Sequence, residues 1–242
     1  MKIFNKISKY ILKKLSRVVF HLIPEELYVF FKIREEDTYT LFKRKQILES
    51  FNHFEKHLAS SIHFSDVSDI RKYAIEKSLS YDKERKKCYM DFGVHKGTSS
   101  NFFSGYVNKL HAFDSFKGLR EDWAGTGAQK GHLRLEKIPK LNKNIDLIVG
   151  YIQDTLDDFL KSHNPKINFI HMDLDTYEST KYALEKLKPY LAKNSIILFD
   201  ELYNYPGWKN GEYKALEQTF NENEYKFKAF SVNANRAVIQ IN

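Results

Sequence analysis

Asp91-Phe92-Gly93-Val94-His95-Lys96-Gly97-Thr98-Ser99 closes the short apolar run Cys88–Phe92 and carries the chain out of it. A buried strand ending in an acid and a glycine, then a second glycine and hydroxyl residues, reads as strand, tight turn and helix start. Gly93 permits a sharp turn and close approach of a ligand to the backbone. Gly97 and Ser99 open a helix whose first N–H groups point back toward the strand end. Moving outward, the runs Leu110–Phe113, Leu147–Val149, Ile167–Met172 and Ile196–Phe199 alternate with helical stretches. That alternation is the signature of βαβ units around a buried parallel sheet. Two further runs, Lys226–Val232 and Arg236–Ile241, have no helix between them and are joined by Asn233-Ala234-Asn235. Asparagine tolerates positive φ, so they read as an antiparallel hairpin. The predicted fold is α/β: a Rossmann-like, seven-stranded, mostly parallel sheet with a C-terminal antiparallel hairpin, preceded by an N-terminal helical segment. The sheet domain is expected over residues 87–242 and the helical segment over residues 1–86.

Charge and glycine divide the chain at the same place. Of 242 residues, 39 are Lys or Arg and 31 Asp or Glu, a net charge of +8. Residues 1–90 hold 19 of the basic and 12 of the acidic side chains, whereas residues 91–242 hold 20 and 19. All ten glycines lie at Gly93 or later. A nucleic-acid enzyme carries its basic surface on the working domain, and here that domain is nearly neutral. A nucleic-acid partner is therefore the weakest reading. The single cysteine, Cys88, excludes a disulfide scaffold and a cysteine-based zinc site, and fits the cytoplasm.

The first 23 residues carry Ile3, Ile7, Tyr10, Ile11, Leu15, Val18, Val19 and Leu22 at helical spacing, with cations between them and Pro24 as the stop. No uncharged run approaches the roughly 18–20 residues of a membrane span. Two readings stay open for residues 1–23: peripheral contact with the inner face of an anionic membrane, or packing on the chain itself or a partner subunit. Helices are also predicted over Thr40–Ser60 and Val67–Leu79, ahead of a basic connector, Lys83–Lys87. His53 and His57 lie one turn apart on the first of these, but Phe54 stands where a zinc protease needs glutamate. They are read as a solvated face.

In open α/β sheets, ligands bind beyond the carboxyl ends of the strands. Asp114 ends the second run, 21 residues beyond Gly93, where a carboxylate can accept hydrogen bonds from both hydroxyls of a ribose. The G-x-G-x-x-G pattern of a dinucleotide site fails because position 95 is His. The D-x-G-x-x-x-G spacing suits S-adenosylmethionine, which has no phosphate to cradle, and assigns Asp91, Gly93, Gly97, Ser99 and Asp114 to that cofactor. Gln153 and Asp154, after the third run, either lie at the adenine edge or serve as a helix cap at Asp154. The fourth and fifth strand ends carry Asp173, Asp175, Asp200 and Glu201. Carboxylates brought that close disfavour mutual ionisation unless a cation neutralises them, and oxygen-only ligands select a hard divalent ion such as Mg²⁺. The other reading makes Asp175 the cap of the following helix and Asp200 the cap of the turn after its strand, which explains two of the acids but not four converging ones. Tyr203, Tyr205, Trp208 and Tyr213 form either a platform for a sugar or a packed lid.

Asp91–Ser99, the stretch Ala112-Phe113-Asp114-Ser115-Phe116-Lys117-Gly118-Leu119, and Met172-Asp173-Leu174-Asp175-Thr176-Tyr177-Glu178-Ser179-Thr180 resemble the macrocin O-methyltransferase family, relatives of the mycinamicin and novobiocin sugar methyltransferases. The resemblance runs from about Lys87 to Asn242. It implies a Mg²⁺-dependent enzyme that methylates a sugar hydroxyl of a glycan or glycosylated metabolite and dimerises through N-terminal elements. It further implies that Asp173, Asp200 and Glu201 hold the metal, with Asp173 also near the cofactor. Asp175 would be the general base, with His132 the next candidate, and Gly93 and Gly97 would line the methionine end. The family's usual pair after the fifth strand is Asp-Asp; here it is Asp200-Glu201, whose longer second arm shifts the ion. Two alternatives remain from the residues: a cofactor-binding module without catalysis, and a methyltransferase acting on another acceptor.

Overall fold

The structure is a computed structural model and describes residues 37–242. The amphipathic helix expected over residues 1–23 lies outside the described residues. The chain divides into two compact units, Met1–Lys45 and Gln46–Asn242, and everything below concerns the second. In chain order its elements are α1 (Thr38–Leu58, entering from the first unit), β1 (Ile62–Phe64), α2 (Val67–Leu79), β2 (Cys88–Phe92) and α3 (Thr98–Ser104). Then come β3 (Leu110–Asp114), β4 (Ile145–Val149), α4 (Ile152–His163), β5 (Ile167–Met172) and α5 (Tyr177–Leu187). β6 (Leu191–Phe199), α6 (Glu212–Thr219), β7 (Tyr225–Ser231) and β8 (Ala237–Ile241) complete it.

The sheet has eight strands in the order β1-β7-β8-β6-β5-β2-β3-β4. β8 runs antiparallel to both β6 and β7, and the remaining pairs are parallel. The hairpin expected at the C-terminus is thus present. The expected count of seven is corrected to eight, because Ile62-His63-Phe64, in a stretch read as wholly helical, adds an edge strand beside β7. Three residues with one exposed apolar side chain are too short to show a period-two pattern, so no sequence signal marked them.

Alternation along the central strands sorts the core into two layers. Met90, Phe92, Ile170, Met172, Ile197 and Phe199 face α4, α5 and α6, while Tyr89, Phe169, Ile196 and Leu198 face α2 and α3. β5 is buried along its whole length, as a central parallel strand covered on both faces must be. From α1, Phe54 enters a ring cluster with Tyr203, Trp208, Tyr213, Phe227 and Phe230. Tyr203, Tyr205, Trp208 and Tyr213 are all buried, Trp208 at 1% exposure. Of the two readings of that ring-rich segment, the packed lid is the one the fold adopts. His53 is not simply solvated either, since its Nε2 bonds the Tyr213 hydroxyl at 2.5 Å.

Strand order reverses between β2 and β5, which pair with each other and lead to opposite sides of the sheet. Their carboxyl ends therefore form the crevice where a ligand can enter between diverging loops.

Candidate active site

The loops leaving β2, β3, β5 and β6 begin in ladder register. The amides of Gly93, Asp173 and Asp200 bond the carbonyls of Phe113, Phe92 and Met172. Gly93 has φ +92°, and a Cβ there would sit 1.9 Å from the Asp173 carbonyl oxygen. Only glycine lets the β2 loop pass this close to the β5 loop. His95, Phe116 and Asp175 also have positive φ without being glycine. Such strained positions at three neighbouring strand ends are held by their surroundings and are typical of working sites.

A partly open cavity lies between these loops. Gly93, Asp114, Gln153, Asp173 and Asp175 line it. The Asp114 carboxylate accepts the amides of His95 and Phe116, each at 2.7 Å, which fixes its orientation and leaves lone pairs facing the cavity. Gln153 Oε1 and Thr176 Oγ1, also in the wall, are buried without a hydrogen-bond partner. Buried polar atoms left unpaired are rare, and two on one cavity wall suit a polar ligand.

Other expected cofactor contacts lie elsewhere. Asp91 is fully buried behind the wall and accepts hydrogen bonds from Ser99, Ser100 and the His171 ring. Asp91 and Ser99 thus satisfy each other and fasten α3 to β2 instead of facing a ligand. Gly97 faces Leu141. Asp154 is exposed, and Tyr151 caps α4 in its place. The caps proposed for Asp175 and Asp200 are not formed: Thr176 holds the N-cap position of α5 without a side-chain bond, and Asp200 is paired with Arg236 and His171. His132 is exposed and outside the cavity wall, so it has no route to the acid centre.

The acids behind the cavity split into two groups. Asp173, Asp175 and Glu201 bring oxygen atoms within 4.8 Å of one another. Asp200 lies within the same distance of Asp173 and His171 instead, and its own oxygens are bonded to bases. Its oxygens receive Arg236 Nε and Nη2 at 2.6 and 2.5 Å, and Oδ1 also receives His171 Nε2 at 3.2 Å and Arg71 at 3.5 Å. Of the expected ligands Asp173, Asp200 and Glu201, Asp173 belongs to both groupings, Glu201 to the one with Asp175 and Asp200 to the one with His171. The fully buried His171 links Asp200 to Asp91, which bonds its Nδ1 at 2.6 Å. The residue set overlooked by sequence reading is His171, Arg71, Arg236 and Glu212. His171, next to Asp173 in a D-rich motif, was the only one with a local signal.

Burial pushes Asp173, Asp175, Glu201 and Glu212 above the usual carboxylate range, reinforced by their mutual repulsion and the charge of Asp200; Asp175 reaches about 7. Burial acts on Asp200 in the same sense, but the His171 and Arg236 contacts overcome it and hold that carboxyl well below the usual range. The donor set fits a hard divalent cation. It is all oxygen, it is electrostatically frustrated on its own, and Glu201 Oε2 is buried without a partner.

A pH test follows. Groups raised in the folded state bind more protons there than in the unfolded chain around neutrality, so stability falls as pH rises through their folded pKa values. With chelator present, the melting temperature is expected to drop between about pH 6 and about pH 8, the window set by Asp175. Millimolar Mg²⁺ or Mn²⁺ should recover more at the upper end, where it displaces fewer protons. Calorimetric melting curves with equal cation effects at both pH values would remove the cation from this site.

Residues 90–202 match the family described as a methyltransferase domain. Among solved structures, calicheamicin methyltransferase CalS11 superposes with a TM-score of 0.59 at 20% identity, covering 85% of this chain and 94% of that one. An apo structure of CalS11, described as a TDP-rhamnose 3'-O-methyltransferase, gives 0.51 at 19% identity, with coverage of 85% and 96%. The O-methyltransferase NovP gives 0.56 at 16% identity, with coverage of 72% and 79%. These likenesses establish a shared fold. A search of curated proteins finds no significant match.

Proposed function

We propose that this chain, an S-adenosylmethionine-dependent methyltransferase of the class I fold, methylates a sugar hydroxyl with the help of a divalent cation. The observation that carries the proposal is that Asp114 and the acids Asp173 and Asp175 line one cavity at the switch point of the sheet. A ribose-type carboxylate and an oxygen-rich cation set thus meet across a single space. The likeness to CalS11, described as acting on TDP-rhamnose, supports a sugar as acceptor.

S-adenosylmethionine supplies an electrophilic methyl group, and a divalent cation lowers the pKa of a hydroxyl bound to it. Asp114 would hold the ribose hydroxyls through lone pairs not used by the His95 and Phe116 amides, with Gln153 on the facing wall. Asp173, Asp175 and Glu201 would hold the cation, for which Mg²⁺ is the natural choice. Asp175 would also take the acceptor's proton at a carboxylate oxygen, since it borders the cavity beside Asp173. Asp91, Gly97 and Ser99 would act behind the wall, as the frame that sets the β2 loop.

Asp114→Ala is expected to weaken S-adenosylmethionine binding about tenfold or more, the loss of hydrogen bonds to a charged acceptor worth about 1.5–3 kcal/mol. Titration calorimetry measures it, and unchanged affinity would remove Asp114 from the site. The activity itself is tested by mass spectrometry of a panel of nucleotide-linked sugars and glycans incubated with enzyme, S-adenosylmethionine and Mg²⁺. A methyl mass increment on a sugar oxygen is the expected result. Methylation confined to non-sugar acceptors, or undiminished after exhaustive chelation, would overturn the sugar or the cation half of the proposal respectively.

A further inference from the structure

On the face of the sheet that packs on α2 and α3, side chains recur at every second residue. The apolar row Tyr89, Phe169 and Leu198 is followed there by Asp91, His171 and Asp200, an acid, an imidazole and an acid. Asp91 and His171 stand in register across β2 and β5, and Asp200 lies one residue beyond β6. All three are buried, Asp91 and His171 completely, and the Phe103 ring packs 5.0 Å from that of His171. Replacing such a row by packed apolar residues is often neutral or stabilising, so stability alone does not account for it.

Both ring nitrogens are engaged. Nδ1 meets Asp91 Oδ1 at 2.6 Å and Nε2 meets Asp200 Oδ1 at 3.2 Å. A carboxylate oxygen only accepts, so both nitrogens donate and the ring is doubly protonated. Each carboxylate carries the connection further. Asp91 Oδ2 accepts the Ser99 and Ser100 hydroxyls at 3.1 and 2.5 Å, which ties the start of α3 to the end of β2. The loop between them supplies Gly93 of the cavity wall and the His95 amide that orients Asp114. Asp200 is held on its other side by Arg236, and the next residue is Glu201 of the acidic trio.

We propose that His171 is a positioning residue that donates from opposite ends of one ring to Asp91 and Asp200, and so fixes the cofactor loop against the loop that carries Glu201. The inference rests on the function proposed above for its consequences, but not for its geometry.

Two substitutions divide the ends of the ring. Asparagine places its amide nitrogen where Nδ1 stands, so His171→Asn keeps the bond to Asp91 and loses that to Asp200. Glutamine reaches the Nε2 position, so His171→Gln keeps the bond to Asp200 and releases Asp91. In both variants each carboxylate retains its other donors, the serines or Arg236, and the fold is expected to persist. Amide hydrogen exchange needs no ligand: the Asp200 and Glu201 amides should exchange about tenfold faster in the Asn variant only, and the Gly93 and His95 amides about tenfold faster in the Gln variant only. S-adenosylmethionine affinity should fall about tenfold in the Gln variant, from loss of a hydrogen bond to a charged group, and stay within about threefold of wild type in the Asn variant. Mn²⁺ affinity, followed by electron paramagnetic resonance, should show the converse, with a loss of about tenfold in the Asn variant. Equal losses in both variants, or wild-type exchange in both, would overturn the proposal. So would nitrogen hyperfine coupling in the Mn²⁺ spectrum of wild-type protein, which would make His171 a ligand. A further check uses wild-type protein alone: ¹⁵N magnetic resonance should find a proton on each ring nitrogen, and one bare nitrogen would overturn the two-ended tie. If wild-type protein binds no Mn²⁺ while the exchange pattern holds, the cation reading falls and the tie stands.

Discussion

Asp175→Asn is expected to lower kcat by about two to four orders of magnitude, the range of a lost general base, with S-adenosylmethionine affinity within about threefold of wild type. Asp175 is 6% exposed and borders the cavity beside Asp173 and Thr176. Its proton affinity is raised by burial first and by the charges of Asp200 and Asp114 next. Asparagine fills the same volume and accommodates the φ of +61° at this position at least as readily as aspartate, so the backbone has no reason to move. The substitution therefore removes the proton acceptor and one cation ligand with little structural disturbance. The pH profile separates the two losses: wild-type kcat/KM should fall on the acid side, and the variant should lack that limb. Loss of Mn²⁺ affinity alone, with the acid limb retained, would leave Asp175 as a ligand and move the base elsewhere. A variant with turnover within about threefold of wild type would end both roles.

Arg236→Met is expected to destabilise the fold by about 3–5 kcal/mol, measured by denaturant unfolding, because it strips the two-pronged partner from a buried carboxylate. Asp200 is 4% exposed, and Arg236 meets both its oxygens. Arg71, at 3.5 Å from one oxygen, is too distant to replace a two-bond pairing. The double variant Asp200→Asn, Arg236→Met should recover much of the loss, since no charge is then left uncompensated. Losses that simply add would show that the pair is not coupled. A single-variant loss below about 1 kcal/mol would mean that solvent reaches Asp200 and that its commitment to arginine is weak.

Much of the site was legible in the residues, for a definable reason. Gly93 and Asp114 sit at the ends of consecutive strands, and in this fold the spacing between strand ends is set by one helix and one turn. Sequence separation there translates directly into position. The concentration of acids at the ends of β5 and β6 was visible for the same reason. It was less clear which of them converge. Asp173, Asp175, Asp200 and Glu201 are near-equivalent as letters, and what sets Asp200 apart is Arg236, 36 residues away just before β8, and Arg71, 129 residues away on α2. A residue such as Asp91 misleads in the opposite direction. It stands in the expected motif, yet faces inward, because Ser99, Ser100 and His171 offer it three donors on the buried side.

The sequence by itself determined the α/β alternation, the C-terminal hairpin, the strand ends where the acids gather, and the place of Asp114 at one of them. Each of these follows from periodicity or from spacing along one segment. Only the tertiary structure decided the eighth strand, the burial of Tyr203 to Tyr213 as a lid, the capture of Asp200 by arginine, and the burial of Glu212 beside the Glu201 amide. Those outcomes depend on side chains that approach from distant parts of the chain, where charge and hydrogen-bond pairing, not local pattern, determine which polar group faces the ligand and which is held in the frame.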